Sequence, residues 1–518
     1  RPGEPIVTVV ISPREGHFIA ERSLLSVLAD DRIPFDLIYV DFAAPPKTRA
    51  AIERHAASRN FRVVHHEGWT APSAARKSVL GEIKTRYVAF VDNDTLVEPG
   101  CLEKLVICAE ETGAGLVCPI YLQAGDGRTP TIHMAGGMFA WASPPAHGLI
   151  DEGHRLQGEP LERAAGLTRE KVGYPEYHYV LGRMELLSRP GAISDDVLLV
   201  HEHLDLALFA REQGMDVVLE PAARVTYVAF EPRPLSDMAF FRRRWDVEAC
   251  DRSLSAFARK WPIADRAGVI DPMVGYGAAR LREVELRRPG SAGTDLDQPM
   301  TREDLAQSRY SLREQAIGRG YGDDDVRGLE RACDLATIMF DGVYRPDGRP
   351  FLCHVIGTAS ALVRYELQTA IVQSGLLHAA YTHRPAWMSE AELSGLLGEL
   401  LGGDRLIVAQ PLARAFLTQP ETDCGSLNIV GAATVVMLAA NDVDMRLSGE
   451  YRATGRPADL NPVMLNRVGE VLGHFGLDGL TRSAGQPTVG AEVWPLLGAG
   501  VQQVSFRLDA ANRRMLPV

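Results

Sequence analysis

Tyr87-Val88-Ala89-Phe90-Val91-Asp92-Asn93-Asp94-Thr95 is the stretch on which the reading of this chain turns. An uninterrupted apolar, β-prone run passes directly into an acidic tip, as a buried strand does where it leaves a sheet. Two carboxylates two residues apart at such an exit can both face one ion. A divalent cation that bridges two phosphates takes hard oxygen ligands from one or two carboxylates and keeps its other positions for phosphate and water. The triplet alone is weak evidence, because similar acidic turns are often merely solvated, so its surroundings decide.

Working outward, Ile6-Val7-Thr8-Val9-Val10-Ile11 precedes a helical pattern through Ser23-Leu24-Leu25-Ser26-Val27-Leu28. Asp36-Leu37-Ile38-Tyr39-Val40-Asp41 is followed by a helix near 47–59, Phe61-Arg62-Val63-Val64 by one near 72–84, and the Tyr87 strand by one near 99–112, before Gly115-Leu116-Val117-Cys118-Pro119-Ile120. Repeated β-then-α units with short connections predict a mostly parallel sheet covered on both faces. In such sheets ligands gather beyond the carboxyl ends of the strands. Ser12-Pro13-Arg14-Glu15, Asp41 and Asp92-Asn93-Asp94 all fall there.

Between about 125 and 175 no clean period survives, and mixed loops with short strands are expected. A helix is predicted from His203 to Gln213, stopping at Gly214, with short strands at Val217-Val218-Leu219 and Val225-Thr226-Tyr227-Val228. Arg287-Arg288-Pro289-Gly290-Ser291-Ala292-Gly293-Thr294-Asp295 is linker-like and puts a domain boundary near 285–305. Helical periods then dominate at 325–342, 355–364, 367–378, 390–402 and 427–446. There is no internal repeat and no low-complexity segment.

The 518 residues exceed what one growing core accommodates, so more than one domain is expected. Hydrophobic residues at 46% and charged ones at 24% are ordinary globular composition. A net charge of −12 argues against a nucleic-acid partner, which needs a basic face. Seven scattered cysteines without a CxxC pair suggest neither a zinc knuckle nor a disulfide framework and fit a reducing cytoplasm. No run reaches the length of a membrane span, and the first residues lack a signal-peptide pattern.

The context of the acidic triplet carries a family likeness. Arg76-Lys77, then Tyr87 to Thr95, then Pro99-Gly100-Cys101-Leu102 and Leu105 resemble the family-2 glycosyltransferases of the GT-A fold. Ile11-Ser12-Pro13 is similar to that family's first nucleotide-binding loop, and Tyr39-Val40-Asp41 to its second strand, over roughly residues 5–250. The resemblance implies a nucleotide-sugar site of Pro13, Asp41, Arg76, Asp92 and Asn93. Asp41 would meet the base, Arg76 the phosphates or their loop, Asp92 the ribose or metal, and Asp94 the metal, Mn²⁺ or Mg²⁺. The plainer alternatives are a strand-end cap for Asp41 and a solvated helix charge for Arg76.

Val200-His201-Glu202-His203-Leu204-Asp205, with Arg211 and Gly214 downstream, resembles the family's Glu-Asp-x-Asp helix start. An inverting transfer needs a general base near the acceptor hydroxyl. Glu202 and Asp205 match, whereas His203 stands where Asp is usual, so Glu202 and His203 are both candidate catalytic residues. The alternative is an acid-rich first helical turn that suits the helix dipole. Phe240-Phe241-Arg242-Arg243-Arg244-Trp245 matches the second half of a Gln-x-x-Arg-Trp motif through Arg244 and Trp245, which the likeness places against the diphosphate. Tyr227 stands where the family often has a metal-binding His. His133, His154 and His178, in the unpatterned region, read first as structural residues.

The helical half has its own likeness. Arg349-Pro350-Phe351-Leu352-Cys353-His354, Gly375-Leu376-Leu377-His378 and Val436 to Arg446 resemble the HD-type metal phosphohydrolase domain of bifunctional alarmone enzymes. Ala379 and Ala440 occupy positions where that family carries carboxylates, so hydrolysis is not expected. His354, His378 and His383 are left as a degenerate pocket, and the domain as a scaffold for homodimerisation or acceptor docking.

The reading is therefore an α/β GT-A domain, Rossmann-like with a mostly parallel sheet, over 1–260, a helical connection and linker over 261–310, an all-α HD-like domain over 311–480 and a tail over 481–518. The expected activity is metal-dependent inverting transfer of a hexosyl or N-acetylhexosaminyl group from a nucleotide-sugar, with UDP commonest, to a hydroxyl of a glycan or small molecule. A cytoplasmic location, with or without peripheral attachment to the inner membrane face, accompanies it. A non-catalytic nucleotide-sugar-binding scaffold and a phosphohydrolase working through the helical half are the alternatives.

Overall fold

The computed structural model describes residues 4–487, apart from 126, 127, 145, 230–232, 290–295 and 420, together with 506–509 and 514–517. The chain divides into two compact units, Arg1–Glu283 and Val284–Val518. The linker-like residues 290–295 and most of the tail lie outside the described residues. The helices Arg266–Val269 and Asp271–Arg282 belong to the first unit.

Strands of the first unit are β1 (Val7–Ser12), β2 (Asp36–Phe42), β3 (Arg62–His66), β4 (Tyr87–Asp92), β5 (Thr95–Val97), β6 (Leu116–Gly125), β7 (Arg128–Met134), β8 (Gly137–Trp141), β9 (Leu149–His154), β10 (Glu170–Val172), β11 (Tyr179–Arg183) and β12 (Val217–Val228). The main sheet runs β10-β12-β6-β11-β4-β1-β2-β3, with β5 on β12 and β7 on β6, while β8 and β9 pair separately. It is parallel through β3, β2, β1 and β4. Antiparallel β11 then enters between β4 and β6, and β12 lies parallel to β6. Every residue of β1 and β4 is buried, which explains why both read as continuous apolar runs rather than alternating ones.

The unpatterned region resolves into β7 to β10, with one 3₁₀ turn at Leu161–Ala164. The two short strands expected after Gly214 are one strand, irregular between Leu219 and Arg224. Pro221 sits at that irregularity, where its missing N–H costs no ladder bond.

Helix starts follow the punctuation of the chain. Pro46 and Pro72 open the helices Pro46–Arg59 and Pro72–Leu80. The helix Cys101–Thr112 is capped from a distance: Asp30 accepts from the backbone N–H groups of Gly100 (2.5 Å) and Leu102 (2.8 Å). Gly100 has φ +80, and a Cβ there would meet the Arg32 guanidinium at 2.9 Å, so this turn needs glycine.

His17 packs edge-on against Phe240 at 5.0 Å, and Phe240 stacks on Phe42 at 5.4 Å. Neither ring nitrogen of His17 has a hydrogen-bond partner, and burial pushes its pKa down to about 4. A lowered histidine favours its neutral form in the folded state, so stability is whole above the unfolded value of about 6.5 and falls as pH drops toward 4. At pH 5 the loss is about 2 kcal/mol. Asp237, raised to about 6 by burial, works in the opposite sense. The comparison is therefore between variants: His17→Phe is expected to lose about 2 kcal/mol less stability than the parent between pH 7.5 and 5 in urea titrations. Equal losses would refute it.

The second unit is helical. Phe351–Arg364 and Ile429–Ser448 form its centre, both buried over most of their length, with Asp323–Phe340 and Thr369–Leu377 against the first of them. Phe506–Asp509 pairs antiparallel with Arg514–Pro517. At the centre Arg349 forks onto Asp444 at 2.7 and 2.9 Å, and His354 Nδ1 lies 2.7 Å from Asp444 Oδ2. Gly357 makes room for that carboxylate, since a Cβ there would come within 1.8 Å of Asp444 Oδ1.

Candidate active site

The exits of β1 and β4 lie side by side, with Ser12 opposite Asp92. Asn93 braces them: its Nδ2 donates to Gly16 O at 2.9 Å and its Oδ1 accepts from Arg14 N at 3.3 Å. Pro13 is buried in that braced turn. Asp92 and Asp94 are 0% and 1% exposed. Arg76 is wholly buried too, bonded to Asp92 Oδ1 with its guanidinium 3.9 Å from the centre of the Tyr177 ring, so it is no solvated helix charge.

Both oxygens of Asp94, and Oδ2 of Asp92, are buried and accept no hydrogen bond. Arg76 and Arg14, whose Nη1 lies 3.5 Å from Asp92 Oδ2, offset Asp92, but a buried carboxylate without such compensation costs several kcal/mol, so Asp94 asks for a positive partner. His178 Nδ1 stands 3.4 Å from Asp92 Oδ2 and 3.8 Å from Asp94 Oδ1. Asp92, Asp94 and His178 together form one of two ligand groups of metal-binding size among the described residues. Two carboxylates and an imidazole fit a Mn²⁺-class dication. Tyr227 stacks on the His178 ring at 4.1 Å and donates to Glu15 at 3.0 Å.

Sequence reading set His178 aside because topology brings it here. Antiparallel β11 pairs Tyr179 with Val91, so the residues that enter β11 lie beside the tip of β4. Glu176, which sequence reading missed, arrives the same way. Its backbone is clamped by Tyr121, whose hydroxyl accepts from Glu176 N at 2.9 Å. Burial alone would raise its pKa, but His154 and Arg14 beside it pull it down.

A cleft of about 500 Å³ opens beyond these groups, lined among others by Arg14, Glu202, His203, Arg244 and Trp245. Glu202 begins the helix Glu202–Glu212 directly after His201, whose φ of +60 is unusual for a non-glycine residue. His201 Nε2 is 2.7 Å from Val269 O, which helps hold that turn. Burial raises the pKa of Glu202 and pushes His203 down to about 3. His203 Nε2 lies 3.6 Å from Glu176 Oε1. Arg244 is 1% exposed, its Nε and Nη1 are unpartnered, and its guanidinium lies over the Trp245 ring at 4.3 Å. Asp41 lies apart from this cleft, accepting from Arg49 Nε at 2.7 Å, with His65 Nδ1 2.9 Å from the same oxygen and its other oxygen unpartnered.

In the helical unit no comparable ligand group forms among the described residues. His354 and His378 face each other at 5.3 Å between ring centres, but Asp444 is already held by Arg349. A groove of about 950 Å³ opens beside His378 and Arg384.

Strand order, acidic strand-end tip and adjoining cleft define a GT-A-like α/β domain joined to a helical region. Residues 12–162 match the family model for glycosyl transferase family 2, so the first unit carries a domain of that family. The "Pre-mycofactocin glycosyltransferase" of two Mycobacterium tuberculosis strains is 26% identical over 228 residues, 44% of this chain and 43% of the relative. The "Uncharacterized glycosyltransferase EpsJ" of Bacillus subtilis is 26% identical over 127 residues, 24% of this chain and 37% of the relative. The chain thus spans less than half the length of these curated relatives. A crystal structure of GalNAc-T7 with UDP, GalNAc and Mn²⁺ aligns over 53% of this chain and 54% of that one, at 14% identity and a TM-score of 0.34. No described helix is long and apolar enough to cross a membrane.

Proposed function

We propose that the first unit is a metal-dependent inverting glycosyltransferase that moves a sugar from a nucleotide-sugar, a UDP-hexose or UDP-N-acetylhexosamine, to a hydroxyl acceptor. The observation that carries this reading is Asp94, buried with both carboxylate oxygens unpartnered beside Asp92 and His178. Asp92, Asp94 and His178 would hold the ion, which would offset the charge of the departing diphosphate. Arg244 offers unpartnered guanidinium nitrogens to the same phosphates. Arg76 holds Asp92 in place, a positioning role. Glu202 takes the acceptor proton as the acceptor oxygen bonds to the anomeric carbon and the bond to the diphosphate oxygen breaks. Its raised basicity favours it over His203, which burial makes a poor proton acceptor.

The test is a nucleotide-sugar screen by thermal shift with and without Mn²⁺, followed by transfer assays on an acceptor panel that includes pre-mycofactocin, named with the M. tuberculosis relatives. A Mn²⁺-dependent rise in Tm that Asp94→Ala abolishes is expected. An equal response from Asp94→Ala sinks the metal assignment, and stabilisation without transfer to any acceptor favours a binding scaffold. For the helical unit we propose a non-hydrolytic role, supported by the neutralisation of Asp444 by Arg349.

A further inference from the structure

We propose that His133, His154 and Glu176 form a second metal site, for a zinc-class dication, distinct from Asp92, Asp94 and His178. One ligand atom from each of the three residues lies within 4.8 Å of the others, a spacing that small side-chain adjustments close around one ion. Two imidazoles and one carboxylate are a borderline N/O donor set of the kind zinc takes.

Three separate segments supply the ligands: His133 from β7, His154 from the end of β9, and Glu176 from the entry to β11. The His133 and His154 rings meet edge to face at 4.7 Å, and Nδ1 of each is buried without a hydrogen-bond partner. His154 Nε2 and His203 Nε2 approach the same Glu176 oxygen, at 3.3 and 3.6 Å, so His203 stands ready as a fourth ligand.

The site borders the cleft, since His133, His154, Glu176 and His203 all line it. An ion there would present its open position to whatever enters.

The experiment uses the full chain stripped with a chelator and titrated with Co²⁺, whose visible d–d bands report low-coordinate binding, together with bound-metal analysis after Zn²⁺ loading. The intact protein is expected to show the band and to retain one zinc equivalent. Asp94→Ala is expected to keep both; His133→Gln and His154→Gln are each expected to lose both while melting near the parent's apo temperature. Absence of the band in the intact protein overturns the proposal. So does a band that Asp94→Ala removes and the histidine variants leave. Should both variants unfold, Asp94→Ala decides alone, its retained band supporting the second site and its lost band overturning it. None of these readouts depends on sugar transfer.

Discussion

Glu202→Gln is expected to lower the turnover of sugar transfer by roughly 10²–10⁴-fold, the usual worth of a positioned general base, with the KM for the nucleotide-sugar unchanged. Glutamine keeps the shape and burial of the side chain and removes only its basicity. Because burial raises Glu202, the acid limb of the rate profile should lie above the ordinary carboxylate range, with activity falling as pH drops through it. His203→Gln is expected to cost far less, since a histidine held near 3 is already neutral and weakly basic at working pH. A larger loss from His203→Gln than from Glu202→Gln would reverse the assignment. Steady-state kinetics of the two variants across pH 5–8 decides it.

Arg349→Leu is expected to destabilise the helical unit by about 3–5 kcal/mol, because it strands the Asp444 carboxylate in a core where both partners are 0% exposed. The measurement is the urea midpoint of the full chain followed by helical circular dichroism. Adding Asp444→Leu should recover most of the loss, since a pair of apolar residues leaves no orphaned charge, apart from the partner that His354 forfeits. An unchanged midpoint in Arg349→Leu would show that the pair contributes little.

The first half of the molecule was legible because its strands are covered on both faces. Burial on both sides selects unbroken apolar runs, and β1 and β4 announce themselves by them. The helix Glu202–Glu212 and its stop at Gly214 were equally plain. Residues 125–175 were not. Their strands are short, several lie at margins of the sheet, and partial exposure removes a clean period. Pro221 concealed the continuity of β12, since a proline inside an apolar run reads as a break unless a bulge accommodates it.

The candidate site divides along the same line. Asp92, Asp94 and Glu202 stand where a strand ends or a helix begins, and such boundaries are written in local sequence. His178, Glu176, His133 and His154 belong to segments far apart in the chain, and only the antiparallel insertion of β11 beside β4 brings the first two to the acidic tip.

By itself, then, the sequence determined the order of the β-α units, the acidic tip and the helical character of the second half, because periodicity and chain punctuation are local properties. Tertiary structure decided which buried charges have partners. It paired Arg76 with Asp92 and Arg349 with Asp444, and it left both carboxylate oxygens of Asp94 without a hydrogen bond. Desolvation depends on what packs around a side chain from every direction, which no spacing along the chain encodes.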